Sequence, residues 1–173
     1  MVAAAAALGA VVASGCSDAM GDGDGERVGY VNAFAEVTLA GDPTASEEEA
    51  RCIAESTVDT LGVDELRGNV TPGEVRDGRS IRPPDLGFEV DQGDGEAFGN
   101  RLGDCMDVRA YLVDASVGAD DAIGDAVQSC VHDNFDDDLV QRIVVDSFVS
   151  PSGEHDPDVQ SDVQSVFQSC AGA

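Results

Sequence analysis

After residue 45, apolar residues recur every three or four positions through most of the chain, the spacing of helices that bury one face. One such stripe follows Ser46, where Glu49 completes a capping-box pattern and Gly62 stands as a helix stop. Further stripes predict helices at about residues 96–113, after Asp120 and Asp121, after Asp136, and at about residues 157–169. We therefore predict an all-α fold, a small helical bundle.

The chain starts with an uncharged apolar run, residues 1–15, that ends in small residues directly before Cys16. This run is shorter than the roughly 20 residues of a transmembrane helix. It resembles the signal peptide and lipobox of bacterial lipoproteins, with Ala13 where that motif most often has Leu. The resemblance implies that residues 1–15 are a signal peptide and that Cys16 is acylated. It also implies a lipid-anchored, extracytoplasmic location on the outer face of the cell membrane. A buried Ala-rich helix of a cytosolic protein is the alternative.

The residues just after Cys16 are acidic and rich in glycine. Such a composition predicts a flexible acidic tether, which we place at residues 16–44, followed by a folded domain at residues 45–173. Asp22, Asp24 and Glu26 have the spacing of a calcium loop. However, Arg27 stands where an EF-hand needs Gly and Ala33 where it needs Glu, so we favour the tether.

Four cysteines lie in the predicted domain: Cys52, Cys105, Cys130 and Cys170. None belongs to a Cys-x-x-Cys pair, which disfavours a redox motif or a structural zinc site. An even number in an exported chain predicts two disulfides, with three possible connectivities. The sequences around Cys52 and Cys130 are similar, which favours the pairs Cys52–Cys105 and Cys130–Cys170. The residues before Cys130 also resemble those before Cys170. This second similarity favours a different alignment of the cysteine-containing segments, so the other connectivities stay open.

The charge balance excludes several classes of function. The chain has 35 Asp and Glu against 9 cations, all Arg, for a net charge of −26. This charge disfavours nucleic acid as a partner and any membrane contact other than a lipid anchor. Without lysine, the chain has neither a Schiff-base nucleophile nor a P-loop lysine. An apolar fraction of 42% predicts a folded domain, and an aromatic fraction of 5% disfavours a sugar-binding cleft.

Four of the nine cations are concentrated in one stretch, residues 67–95: Arg67, Arg76, Arg79 and Arg82. The stretch is rich in Pro and Gly turn signals, with strand-like alternation only at Leu86, Phe88 and Val90. We predict one long irregular Arg-bearing loop here. Its arginines either dock the loop onto acidic helices or contact an anion or a partner protein.

No catalytic motif is found around the two histidines, His132 and His155. Both lie among carboxylates, which is compatible with a metal site but equally with helix capping, and we favour capping. We therefore predict neither an enzyme nor a cofactor or metal site. A hydrolase using either histidine is the least favoured hypothesis.

The stretch at residues 48–66, together with Cys16, is similar to small secreted or lipid-anchored Cys-containing proteins of actinobacteria. The similarity implies a compartment and a helical fold but no activity. Our first hypothesis is a non-enzymatic lipoprotein with a partner-binding or structural role in the envelope, where another envelope protein is a possible partner. The alternative is a binding module for a small ligand or a divalent cation.

Overall fold

The computed structural model describes residues 22–78, 80–117 and 125–171. Over these ranges the chain forms helices and no strand, which confirms the all-α prediction. The elements are α1 (Asp22–Gly41), α2 (Glu47–Leu61), α3 (Val63–Asn69), α4 (Pro72–Gly78), a 3-10 turn (Pro83–Leu86), α5 (Gln92–Cys105), α6 (Val108–Val117), α7 (Asp125–Asn134), α8 (Asp137–Val149) and α9 (Pro157–Cys170).

Local capping chemistry sets where the predicted helices begin and end. The Glu49 amide donates to the Ser46 hydroxyl at 3.1 Å, and the Glu49 carboxylate accepts from the Ser46 amide at 2.8 Å. Gly62 ends α2 with a φ of 80°, a conformation that favours glycine. Asp136 caps α8 by accepting from the Leu139 amide at 2.8 Å. These predicted boundaries are confirmed. The helix start predicted at Asp120 and Asp121 lies outside the described residues.

The tether prediction is wrong for residues 22–41, which form α1 and enter the core. Apolar side chains of α1 are buried and contact α2, α3 and α4: Tyr30, Val31, Ala33, Phe34 and Val37. The Tyr30 hydroxyl also donates to the Val70 carbonyl at 2.6 Å. The helical spacing of residues 30, 34 and 37 indicates this buried face. The tether prediction relied instead on the acidic, glycine-rich composition of the residues before them.

Residues 67–95 are also more helical than predicted. Thr71 and Glu74 form a capping box, with the Thr71 amide donating to the Glu74 carboxylate at 2.7 Å, so that Pro72 opens α4. The predicted turn at Thr71 is therefore a helix start, as Pro at the first helical position allows. Phe88 lies in the core rather than in a strand, and among the described residues of this stretch the backbone is irregular only at 70–71, 80–82 and 87–91.

The helix predicted at residues 96–113 is two helices. Met106 is extended, with φ −158° and ψ 163°, and ends α5. The Asp107 carboxylate then accepts from the Ala110 amide at 3.0 Å and starts α6. The single apolar stripe of the sequence is therefore divided between two helices.

Two disulfides connect the bundle. Cys52–Cys105 joins α2 to α5 and Cys130–Cys170 joins α7 to α9, with S–S distances of 2.05 Å and 2.01 Å. The favoured pairing is thus confirmed, and it indicates an oxidising, extracytoplasmic environment. Among the helices described, none has both the length and the apolar character that a membrane crossing requires.

The centre of the molecule is formed by α2, α5 and α8. Phe98 of α5 and Phe148 of α8 stack with ring centroids 4.3 Å apart. Two glycines of α5 allow the close approach of α8. A Cβ at Gly95 would lie 2.9 Å from Val145 Cγ1, and one at Gly99 would lie 2.8 Å from the Gln141 amide nitrogen. This packing places the Phe pair beside the cleft described next.

Candidate ligand-binding cleft

A cleft of about 380 Å³ opens beside the central helices. Apolar side chains from α2, α5, the break between α5 and α6, α6, α8 and the segment before the 3-10 turn line it: Ile53, Ile81, Phe98, Leu102, Met106, Val108, Leu112, Val144 and Phe148. The volume lies within the range of about 300–1,000 Å³ typical of small-molecule sites. A ligand in this cleft would therefore meet a mainly hydrocarbon surface.

The cleft lining also includes polar residues: Asp42, Thr44, Glu49, Arg82, the buried Thr38, and Tyr111, which is 42% exposed and lies at the mouth. The Asp42 carboxylate accepts from the Thr44 hydroxyl at 2.6 Å and the Thr44 amide at 2.9 Å. These hydrogen bonds, the hydroxyl first, hold the pKa of Asp42 below its usual range. The Ser46 hydroxyl and amide likewise lower the pKa of Glu49. Both acids are therefore ionised at neutral pH, and one oxygen of each, Asp42 Oδ1 and Glu49 Oε2, accepts both of these hydrogen bonds.

Of the four predicted arginines, two dock their segment onto α1. Arg76 Nε lies 2.5 Å from a Glu36 oxygen, and its Nη2 donates to the other oxygen at 3.1 Å. Arg67 Nε lies 3.1 Å from Glu26, and Arg67 also pairs with Asp64. The hydrogen bond from Arg76 holds the pKa of Glu36 below its usual range. Docking onto an acidic helix thus accounts for Arg67 and Arg76, whereas Arg79 lies outside the described residues.

Arg82 behaves differently, because it lines the cleft. Its Nη1 atom is fully buried and has no hydrogen-bond partner among the described residues. No carboxylate in those ranges lies within ion-pair distance of its guanidinium. Burying a charged donor without a partner is costly, so an atom of this kind requires an explanation.

The Cys52–Cys105 disulfide joins two helices that line the cleft, α2 and α5, which supply Ile53, Phe98 and Leu102 to the walls. The Ser56 hydroxyl lies 3.5 Å from Cys105 Sγ. The disulfide therefore limits how far the two walls can separate.

No protein-family model, curated protein or solved structure matched this chain. The chemistry of the cleft therefore has to be inferred from its own side chains. Sequence patterns identified Arg82 as a candidate contact but missed the cleft itself. Phe98, Leu102 and Met106 were predicted as a core stripe, and a helical stripe has the same pattern whether it faces a core or a cavity.

The histidines have structural contacts. His155 Nδ1 lies 2.9 Å from a carboxylate oxygen of Asp146, which is only 7% exposed. The other Asp146 oxygen accepts from the Asp156 amide at 3.0 Å and the Ser150 hydroxyl at 2.9 Å. Asp146 thereby holds the α8–α9 connection. His132 is exposed and lies 3.5 Å from Asp133. In the described ranges no three His, Cys, Asp or Glu side chains are placed to hold a metal ion.

We predict that Asp146→Asn lowers the free energy of unfolding by about 2–3 kcal/mol near neutral pH, because a buried hydrogen-bonded carboxylate is replaced. Burial raises the pKa of Asp146, but the Asp156 amide, His155 and Ser150 together lower it below its usual range. Because the pKa of Asp146 is lower in the folded protein than in the unfolded chain, its ionised carboxylate stabilises the fold at pH values above the ordinary carboxyl pKa. This stabilisation is lost as the pH falls below about 5.

Urea unfolding at about pH 7 and about pH 3 tests this prediction, since the difference between wild type and variant should shrink in acid. Asp133→Asn is the matched control, because it alters an exposed His–Asp pair and should change stability by less than about 0.5 kcal/mol. Equal effects of the two substitutions would contradict the role given to Asp146.

Proposed function

We propose that this chain is a non-enzymatic, lipid-anchored extracytoplasmic protein whose helical domain binds a small, largely apolar ligand in the cleft. The observation that carries the proposal is a cleft of about 380 Å³ with mainly apolar walls. A purely structural envelope role gives no reason for an open apolar cleft of this kind. The contact of His155 with the buried carboxylate of Asp146 gives that histidine a structural role, which supports a non-enzymatic protein.

The apolar character of the cleft walls supports ligand binding. Apolar walls hold water poorly, so replacing it with hydrocarbon is favourable.

Ligand binding can be tested with a tryptophan reporter, because the chain has no Trp. Tyr111 lies at the mouth and is 42% exposed, so Tyr111→Trp places an indole there without filling the cavity. Titration with decanol should shift its emission to the blue and then saturate. Val28→Trp is the control, since Val28 is 52% exposed on α1 and lies outside the cleft. A non-saturating response, or the same response in both variants, would refute ligand binding in the cleft.

The anchor can be tested separately. We expect Cys16→Ala to move the protein from the membrane fraction to the soluble fraction of the native host, because the acylated thiol is removed. Immunoblots of fractionated cells measure the distribution, with Ser17→Ala as the control. Retention of the Cys16 variant in the membrane fraction would show that the lipid anchor is wrongly assigned.

A further inference from the structure

We propose that the ligand of the cleft is a lipophilic amine, and that Asp42 and Glu49 bind its single ammonium head. The inference rests on the proposed binding function and adds the chemical class of the ligand. Two properties of the cleft support it. Its walls are mainly apolar, and its lining has two carboxylates with no ion-pair partner among the described residues.

Each of these carboxylates keeps one oxygen available. Both side chains are partly exposed. Asp42 Oδ1 accepts from Thr44, and Glu49 Oε2 accepts from Ser46. The remaining oxygens, Asp42 Oδ2 and Glu49 Oε1, accept no hydrogen bond from any residue that the structure describes. A ligand that brings N–H donors and a positive charge would match these acceptors, because charge-assisted hydrogen bonds are stronger than neutral ones.

The two carboxylates also repel each other. Hydrogen bonds from the Ser46 hydroxyl and amide lower the pKa of Glu49, whereas the negative charge of Asp42 raises it. Hydrogen bonds from Thr44 keep Asp42 ionised in turn. Like charges that affect each other in this way both favour a nearby cation, so an ammonium ion would replace repulsion with attraction.

Arg82 is the one cation among the described residues of the lining, and it does not neutralise these acids. Its Nη1 atom is fully buried. Its charge acts on Asp85, which lies outside the lining: hydrogen bonds from Ser152 lower the pKa of Asp85, and the Arg82 charge lowers it further. The cleft therefore has an excess of negative charge. The net charge of the whole chain, −26, adds to the attraction for cations.

The remaining groups of the lining favour an organic ammonium ion over a metal ion. The Tyr111 ring lies at the mouth and is 42% exposed. Burial raises the pKa of its phenol, and the charge of Asp42 raises it further, so the two side chains are neighbours. Aromatic rings attract ammonium groups through their negative faces. The apolar walls require a hydrocarbon body behind the head, which a metal ion lacks.

Calorimetric titration of the full chain with decylammonium, decanol and decanoate, all below their micelle concentrations, tests the inference. We expect decylammonium to bind roughly fivefold or more tighter than decanol, because two partly exposed ion pairs are added. Decanoate should bind most weakly, because both carboxylates repel it. Titration in about 0.15 M salt screens the exposed acids elsewhere on the chain.

Asp42→Asn combined with Glu49→Gln should abolish the preference for decylammonium over decanol. Both substitutions keep an oxygen for the local hydrogen bonds, so the helices should form, as circular dichroism can verify. Asp42→Asn alone leaves the capping box of α2 intact and should remove part of the preference. Glu47→Gln combined with Glu48→Gln is the matched control, because it removes two charges from the first turn of α2 outside the cleft. This control should keep the preference.

The outcomes separate this inference from the proposed function. Equal, saturable binding of decylammonium and decanol to the wild type would overturn the ammonium head and leave the proposed function intact. Binding of none of the three compounds would overturn both. A preference that is unchanged by the Asp42 and Glu49 substitutions, or that falls equally in the two double variants, would overturn the role of these carboxylates.

Discussion

Phe34→Ala is expected to lower the free energy of unfolding by about 3–5 kcal/mol, the usual cost of removing a large aromatic side chain from a core. Phe34 is fully buried in α1, where it belongs to the cluster shared with Ala54, Val58 and Val75. Removing its ring would leave a cavity that these helices cannot fill without moving. Urea unfolding followed by circular dichroism measures the loss.

The control is Val28→Ala, which shortens an apolar side chain of the same helix that is 52% exposed. It should change stability by less than about 0.5 kcal/mol. Comparing the unfolding free energies of the two variants tests whether residues 22–41 form a core helix or a tether. If Phe34→Ala had as little effect as Val28→Ala, α1 would not be part of the cooperative fold.

Replacing both Cys52 and Cys105 with Ala is expected to cost about 4 kcal/mol in unfolding free energy, on the chain-entropy estimate for a loop of this length. The sequence separation is 53 residues. Because this disulfide joins two walls of the cleft, its loss should also weaken decanol binding. Unfolding and calorimetric titration of the same variant measure the two effects.

The second disulfide offers a matched comparison, because Cys130 and Cys170 are 40 residues apart and entropy predicts a similar stability loss. Their Ala variant should keep its affinity for decanol, since α7 and α9 contribute no side chain to the cleft. Equal loss of affinity in both variants would mean that the Cys52–Cys105 disulfide acts only through global stability.

Features that depend on near neighbours in the chain were predictable. The Ser46–Glu49 capping box, the Gly62 stop and the Asp136 cap each involve groups a few residues apart, so their geometry follows from local sequence. The favoured disulfide pairing was also confirmed. Alpha-helix 1 was missed because the composition of the residues before it outweighed the short helical pattern at residues 30–37.

The sequence by itself determined that this chain is helical, acidic and cross-linked, because spacing, charge and cysteine count are properties of residue order. Only the tertiary structure decided which arginine is paired and which apolar stripe borders a cavity. Arg76 and Arg82 lie in the same Arg-bearing stretch of the sequence. However, Arg76 pairs with Glu36 of a distant helix, whereas Arg82 lines the cleft and forms no ion pair within the part of the chain that the structure describes. The physical reason is that pairing and cavity formation depend on contacts between residues far apart in the chain, which local periodicity does not encode.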